Sequence, residues 1–220
     1  MSLGLLLFCV SPAIAYGRGA RRHLQAHFPD KSDQVWRSTR NWQSQLVPKR
    51  ARHGDSAGVR FMMRYLEWSC ALYQAVQEHG MSKVEAAALV ETIMTDVYRP
   101  VPAAMFKLSR LRSAKREVRV RWILGMVTRH FLPAPPFCYR HLPSETGVAF
   151  DVTLCPFADY FREQGVPELT EPAAGNMDYV MAREWGVELV RTQTIADGAA
   201  HCDFRWRFPP AGEDPAQVNR

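Results

Sequence analysis

The spacing of apolar residues changes at three prolines, Pro133, Pro135 and Pro136, and this change constrains the fold more than any other feature. Before them, apolar residues recur at spacings of three and four, which is typical of amphipathic helices. After them, short segments alternate between apolar and polar residues, which is typical of half-buried strands. The sequence therefore predicts an α+β fold in which a helical N-terminal half is followed by a small mixed α/β C-terminal module.

The same change predicts how the chain is divided. We expect an apolar and basic N-terminal segment over residues 1–28, a helical region over 29–132, an α+β module over 133–208 and a disordered tail over 209–220. A chain of 220 residues forms one large core or two small ones, so we expect one domain with an appendage.

The helical region is predicted to contain four helices. Ser82 and Glu85 have the spacing of a capping box, which marks the start of the third. The approximate ranges of the four are 36–46, 57–79, 82–98 and 104–131.

The last of these helices is predicted to bury one side and to expose a basic side. The predicted buried residues are Leu108, Leu111, Val118, Trp122 and Val127. The basic residues are Lys107, Arg110, Arg112, Lys115, Arg116, Arg119 and Arg121. We interpret the basic side as a solvated face, with a ligand-facing or membrane-facing role as the alternative.

Charge is distributed unevenly along the chain. Residues 1–140 carry 22 Lys and Arg against 9 Asp and Glu, whereas residues 141–220 carry 6 against 13. We interpret this as two parts of the protein that attract each other, with a basic surface for an anionic membrane as the alternative. We expect no nucleic-acid partner, because no recognisable binding motif accompanies the basic residues.

The first 17 residues contain an apolar run followed by Ala13, Ile14 and Ala15, which resemble a signal-peptidase site. No basic residue precedes the run, unlike in a secretory signal. We therefore expect a docked or interfacial helix, with a signal peptide or a misplaced start codon as alternatives. No apolar run is long enough to span a bilayer, so we expect a cytoplasmic protein, with peripheral membrane contact through this segment as a further expectation.

The C-terminal module is predicted to contain strands over 148–154, 186–194 and 201–208, and helices over 158–164 and 177–185. Cys155 ends the first strand just before Pro156, which can begin a helix. A helix N-terminus favours a thiolate, so Cys155 is a candidate nucleophile, with a buried and inert cysteine as the alternative.

The densest polar cluster of the chain lies in the same module. It comprises Arg191, Thr192, Gln193 and Thr194, followed by His201, Cys202 and Asp203. Alternation along a strand directs His201 and Asp203 to one face and Cys202 to the other. A His and an Asp on one face could transfer protons together. Asp178 lies outside this cluster. It could be a surface residue, a helix cap or a catalytic carboxylate.

Signatures of metal and nucleotide sites are missing from the sequence. No CxxC, HxxxH or HExxH spacing is found, and the P-loop, GxGxxG and GxSxG motifs are absent. We therefore expect no metal and no cofactor.

These segments together resemble the L-2-amino-thiazoline-4-carboxylic acid hydrolase family. The specific similarity is in four blocks, over residues 150–158, 165–169, 191–195 and 198–207, and a looser pattern extends it to roughly 57–208. Family members carry a cysteine a few residues before the position of Asp178, where this chain has Gly175.

The resemblance implies hydrolysis of a cyclic isothiourea that bears a carboxylate, opening the ring towards a carbamoyl-cysteine by C–N hydrolysis. Arg191 is the candidate for binding the carboxylate, because its guanidinium can make a bidentate pair. The further substrate-binding candidates are Thr192, Gln193 and Thr194. The catalytic candidates are Asp178 or Asp203 to hold the amidinium, His201 as the base, and Cys155 or Cys202 as a nucleophile.

Two other functions are open at the level of sequence. A protein of the same fold could bind a small molecule without turnover. The replacement of the family's cysteine by Gly175 favours this alternative. Alternatively, Cys155, His201 and Cys202 could serve a thiol-dependent or metal-dependent enzyme of another class. In each case we expect a small-molecule partner with an anionic group, and reduced thiols at Cys155 and Cys202.

Overall fold

The computed structural model describes residues 11–46 and 56–209. This part of the chain forms eight α-helices and one four-stranded antiparallel sheet, so the predicted α+β fold with a helical N-terminal half is confirmed. The helices are α1 (Pro12–His27), α2 (Ser32–Leu46), α3 (Ala57–Glu78), α4 (Lys83–Tyr98), α5 (Pro100–Leu108), α6 (Arg116–His130), α7 (Pro156–Glu163) and α8 (Met177–Trp185). The strands are β1 (Cys138–Leu142), β2 (Gly147–Leu154), β3 (Glu188–Val190) and β4 (Cys202–Arg207).

Helix α3 forms the centre of the helical half. Tyr65, Leu66 and Val76 are fully buried on it, and α2 and α4 pack against it. The predicted capping box is confirmed at the start of α4, where the Ser82 amide donates to Glu85 Oε2 at 3.0 Å and the Glu85 amide donates to Ser82 Oγ at 3.3 Å.

Helix α1 packs on α2, α3 and α4, and buries Tyr16, Ala20 and Leu24 completely. Gly19 allows the close approach to α4, because a Cβ there would lie 2.7 Å from Val97 Cγ2. The predicted apolar run before α1 lies outside the described residues, and so does the predicted tail beyond residue 209. Among the helices that the structure describes, none is both long and apolar enough to cross a membrane.

The single helix predicted over 104–131 is wrong. Helix α5 begins at Pro100, whose missing amide is tolerated in a first helical turn, and ends at Leu108. A 3₁₀ turn (Ser109–Leu111) and a short bend separate it from α6. Arg119, in the first turns of α6, is buried instead of joining the predicted solvated face.

Arg119 joins the two helices through three contacts. Its Nε donates to Ser109 Oγ at 3.0 Å, its guanidinium also donates to the Phe106 carbonyl, and its Cζ lies 3.7 Å from the centre of the Phe106 ring. As a result, α6 buries a different side from the predicted one, comprising Val120, Ile123, Leu124 and Val127. Of the five residues predicted to be buried, Leu108, Leu111, Val118 and Trp122 are exposed.

The sheet has the strand order β1-β2-β4-β3. Residues that oppose each other in antiparallel strands share a face. Phe150 of β2 therefore lies beside Phe204 of β4, with the rings stacked 5.2 Å apart, and this face packs on the helices. Asp151 and Asp203 oppose each other in the same register and so lie on the other face.

The strand predicted over 186–194 is shorter than expected. Only Glu188–Val190 pair with β4, and Arg191 to Thr194 belong to a connecting loop. The side chain of Asp203 takes the place of a strand partner, because it accepts hydrogen bonds from the backbone amides of Thr192 and Gln193 at 2.8 and 2.9 Å. Strand β1 was not predicted at all.

Candidate functional site

A cavity of about 140 Å³ lies between the inner face of the sheet and the surrounding helices. Its walls come from β2 and β4 on one side and from α5, α6 and α8 on the other. Most of the lining is apolar, and includes Met62, Val101, Met105, Leu124, Phe131 and Phe150. A dry cavity of about 150 Å³ accommodates a benzene ring, so this cavity has the size of one small ring.

The polar side chains of the cavity come from separate elements. Arg191 follows β3, Glu171 begins a π-helical turn (Glu171–Gly175), and Asp178 lies in the first turn of α8. Cys155 occupies the N-cap position of α7, and Cys202 begins β4. Four of the nine predicted site residues thus line one cavity, together with Glu171, which was not predicted.

Arg191 is the sole cation among the described residues that line the cavity, and its side chain is only 3% exposed. The guanidinium donates to the Gly175 carbonyl at 3.0 Å, to a carboxylate oxygen of Glu171, and to Asp178 Oδ2 at 3.5 Å. Its Cζ also lies 5.0 Å from the centre of the Tyr179 ring. The Nε atom is buried and has no hydrogen-bond partner in the described part of the chain.

Two carboxylates share this single guanidinium. Burial raises the pKa of Asp178 to about 7, because the effect of Arg191 does not offset the loss of water and the nearby charge of Glu171. Burial also raises the pKa of Glu171, against the opposing effect of Arg191. At neutral pH, Asp178 is therefore close to half-protonated.

The two thiols of the cavity are free and protonated at neutral pH. Burial raises the pKa of Cys155 to about 12, although the amides of Phe157 and Ala158 donate to its sulfur. The effect of the α7 N-terminus, which predicted a thiolate, is therefore outweighed by burial. Cys202 Sγ accepts a hydrogen bond from the Ile195 amide at 3.2 Å, and burial raises its pKa as well.

Asp203 does not line the cavity. Besides the two backbone amides, it accepts a hydrogen bond from Thr192 Oγ1 at 2.8 Å. Burial opposes ionisation of Asp203, but the hydrogen bonds from Gln193 and Thr192 hold its pKa below the ordinary value. Asp203 therefore fixes the loop that carries Arg191, and the roles predicted for Asp203 with the substrate stay predictions.

His201 lies on the same side of the sheet as Asp203, and the two side chains form no hydrogen bond in the part of the chain described here. His201 Nε2 lies 3.0 Å from Gln193 Nε2 and 3.7 Å from Asp151 Oδ2. Thr194 Oγ1 donates a hydrogen bond to Asp197 Oδ2 at 2.9 Å. None of these side chains lines the cavity, so the roles predicted for His201 and for residues 192–194 stay predictions.

Asp151 organises the opposite face of the sheet, and sequence reasoning missed it. Its carboxylate accepts from Arg140 at 2.6 Å and from Arg205 at 2.8 Å, so it connects β1, β2 and β4. Burial alone would raise its pKa, but these two arginines and His201 hold it below the ordinary value. The strand register is the signal that could have found it, since Arg140 opposes Asp151 directly.

Glu171 was missed because nothing local in the sequence marks it. Glu171 is the first residue of the π-helical turn, and such irregular turns often occur at functional sites. Gly175 ends that turn, and a Cβ there would lie 2.7 Å from both carboxylate oxygens of Glu171. Glycine at position 175 therefore leaves room for the Glu171 carboxylate to reach Arg191.

The model of one protein family, L-2-amino-thiazoline-4-carboxylic acid hydrolase, matches residues 60–206. The chain belongs to this family. The match runs from α3 to β4, so it includes every wall of the cavity and all the polar residues in it. Comparisons with curated proteins and with solved structures gave no match.

The family name describes a hydrolase, and the site can be compared with that chemistry. Over residues 11–46 and 56–209, no group of three or more His, Cys, Asp or Glu side chains is placed to hold a metal ion. The carboxylate, guanidinium and thiol groups that line the cavity in this member of the family are those of Glu171, Asp178, Arg191, Cys155 and Cys202. These groups can transfer protons, bind an amidine and bind an anion.

Proposed function

We propose that this protein hydrolyses a small cyclic amidine or isothiourea, such as a 2-amino-thiazoline with an anionic substituent. The observation that carries the proposal is the position of Asp178 in a largely apolar cavity with the size of one small ring. Its pKa is raised to about 7 there. A general base is most effective when its pKa is near the working pH, and this carboxyl satisfies that condition.

The carboxylates provide the binding of the amidine. Its two N–H groups match the two oxygens of a carboxylate, and Glu171 and Asp178 offer such oxygens in a site with little water. A carboxylate stabilises the protonated amidinium, whose central carbon is more electrophilic than that of the neutral amidine. Arg191 is the sole cation among the described residues that line the cavity, so a cationic ring would bring a second positive charge to the two carboxylates.

Asp178 then serves as base and acid in turn. It accepts a proton from the attacking water as the oxygen bonds to the amidine carbon, which gives a tetrahedral intermediate. The bond from that carbon to a ring heteroatom then breaks, and Asp178 returns the proton to the departing heteroatom. The hydroxyl of the intermediate becomes a carbonyl, and its proton, which replaces the charge of the cationic ring, is released. One water is consumed, and the carboxyl ends in its starting state.

Arg191 supports the proposal in two ways. Its charge keeps Glu171 ionised more than burial alone would allow. Its Nε is a buried donor without a partner in the described part of the chain, like Trp206 Nε1 and Thr170 Oγ1 of the same cavity, so the anionic group of the substrate would accept a hydrogen bond from it. We assign the thiols no covalent step, because a pKa of about 12 leaves Cys155 almost entirely protonated near pH 7.

The test measures turnover of L-2-amino-thiazoline-4-carboxylate and of related ring amidines by Asp178→Asn. We expect a loss of about 10²–10⁴-fold in kcat, the usual contribution of a general base. Asp159→Asn is the matched control, because Asp159 is a half-exposed residue of α7, outside the cavity, paired with Arg162. Near-native turnover by Asp178→Asn would refute the mechanism, and binding of the rings without turnover by the wild type would favour the binding-protein alternative.

A further inference from the structure

The surface around α5 and α6 exposes large apolar side chains. Within residues 105–122, Leu111 is 92% exposed and Leu108 is 63% exposed, while Val118 and Trp122 are each about 40% exposed. Soluble proteins expose such residues singly, but here four occur within fifteen positions. We call this segment the α5–α6 hairpin.

The same hairpin is strongly cationic. Residues 105–122 contain seven Lys and Arg and one acidic residue, Glu117. Glu117 forms an ion pair with Arg121, whose Nη2 lies 3.0 Å from the Glu117 carboxylate. Apart from the buried Arg119, the basic residues are exposed or half-exposed: Lys107, Arg110, Arg112, Lys115, Arg116 and Arg121.

The hairpin presents these side chains on a fixed scaffold. Arg119 joins the end of α5 to the start of α6, as described above. Leu108 ends α5 and Leu111, three residues later, ends the 3₁₀ turn that follows, so the two side chains lie on one side. Val118 and Trp122 are four residues apart on α6 and also share a side. The buried side of α6 cannot turn outward without emptying the core.

We propose that the α5–α6 hairpin is a docking surface for an anionic lipid bilayer. Its leucines and Trp122 would enter the interfacial region, where such side chains are favoured, and its basic side chains would contact anionic headgroups. This surface is separate from the N-terminal segment for which membrane contact was expected from the sequence. The inference does not depend on the proposed function, since it uses none of the polar residues of the cavity.

Two other partners fit the surface less well. Phosphates of a nucleic acid would attract the basic residues, but they offer nothing to an apolar side chain as exposed as Leu111. A second copy of the same face would bring like charges together, which opposes a symmetric dimer. A bilayer that contains anionic lipid satisfies the charge and the apolar side chains together.

The test is co-sedimentation of the full-length protein with vesicles. We expect binding to vesicles of phosphatidylcholine mixed with phosphatidylglycerol, and much weaker binding to phosphatidylcholine alone. The double variant Leu108→Ser with Leu111→Ser should lower the partition coefficient about tenfold or more. Val84→Ser is the matched control, because Val84 is 80% exposed on a different helix.

A second pair of variants tests the charge contribution. Arg110→Gln with Arg112→Gln should weaken binding to the mixed vesicles and reduce its dependence on salt. Arg37→Gln with Arg40→Gln removes two exposed arginines from α2 and should leave binding unchanged. All four positions of both pairs are solvent-exposed, and circular dichroism checks that the variants remain folded.

Three results would overturn the proposal. The first is equal binding of the wild type to neutral and anionic vesicles. The second is unchanged partitioning of the leucine variant. The third is no vesicle binding by a protein that does bind double-stranded DNA or RNA through Arg110 and Arg112, which would assign the surface to nucleic acid.

Discussion

Asp178→Asn should stabilise the protein at neutral pH, even though we expect it to lose activity. The folded state raises the pKa of Asp178 from an ordinary value of 3.8 to about 7, so between these values the folded protein binds a proton that the unfolded chain releases. The stability contributed by this group is therefore complete below about pH 4 and is lost as the pH rises to about 7.

The size of the effect follows from the two pKa values. A tenfold change in an equilibrium corresponds to about 1.4 kcal/mol, which gives about 4 kcal/mol for the full difference between 3.8 and about 7. The side chain remains 19% exposed, and water in contact with it lowers the cost of ionisation. We expect a destabilisation of about 2–4 kcal/mol at pH 7, which an uncharged asparagine avoids.

The assay is urea unfolding of the wild type and Asp178→Asn at several pH values from about 4 to 8. The gain in unfolding free energy of the variant over the wild type should be smallest near pH 4 and should grow up to about pH 7. Asp159→Asn provides the control, because it removes a carboxylate that lies outside the cavity. A gain that is constant with pH would refute the inference that Asp178 titrates near neutrality.

Three further predictions test other parts of the structure. Gly175→Ala should displace the Glu171 carboxylate from Arg191 and shift the pH–rate profile while the protein stays folded; Gly125→Ala, with open space around its Cβ, should leave the profile unchanged. Arg119→Ala should lower the unfolding free energy by about 2–4 kcal/mol, because it leaves buried acceptors unpaired and removes the contact with Phe106. In the same urea experiment, Arg129→Ala, at an exposed site of the same helix, should lower it by less than about 0.5 kcal/mol. Cys155→Ser should retain most of kcat if water attacks directly, whereas a complete loss in the same turnover assay would indicate a covalent step through this thiol.

Local patterns in the sequence predicted much of the fold correctly. The capping box at Ser82 is present, and α8 has the predicted bounds. The alternation over 201–208 also separated the residues correctly, because Cys202, Phe204 and Trp206 line the cavity and Asp203 does not. These features depend on neighbours a few residues away, which a sequence shows directly.

Features that depend on distant contacts were not predictable in this way. Arg119 has the spacing of a solvated helical residue, and only its contacts with Phe106 and Ser109 explain why it is buried. Glu171 and Arg191 are twenty positions apart and meet through a π-helical turn that no pattern indicates. The strand predicted over 186–194 ended early because the Asp203 side chain binds the loop amides.

Both halves of the chain contribute residues to the cavity, and this has a consequence for cooperativity. A fragment that ended at the proline cluster would keep Val101, Met105 and Leu124 but would lack the sheet that closes the cavity. Ligand binding is therefore linked thermodynamically to the association of the two halves, and a bound ring adds its free energy of binding to that association. If a ligand slows amide hydrogen exchange in α6 and β4 together, relative to the free protein, this linkage is present, because neither element forms the cavity alone.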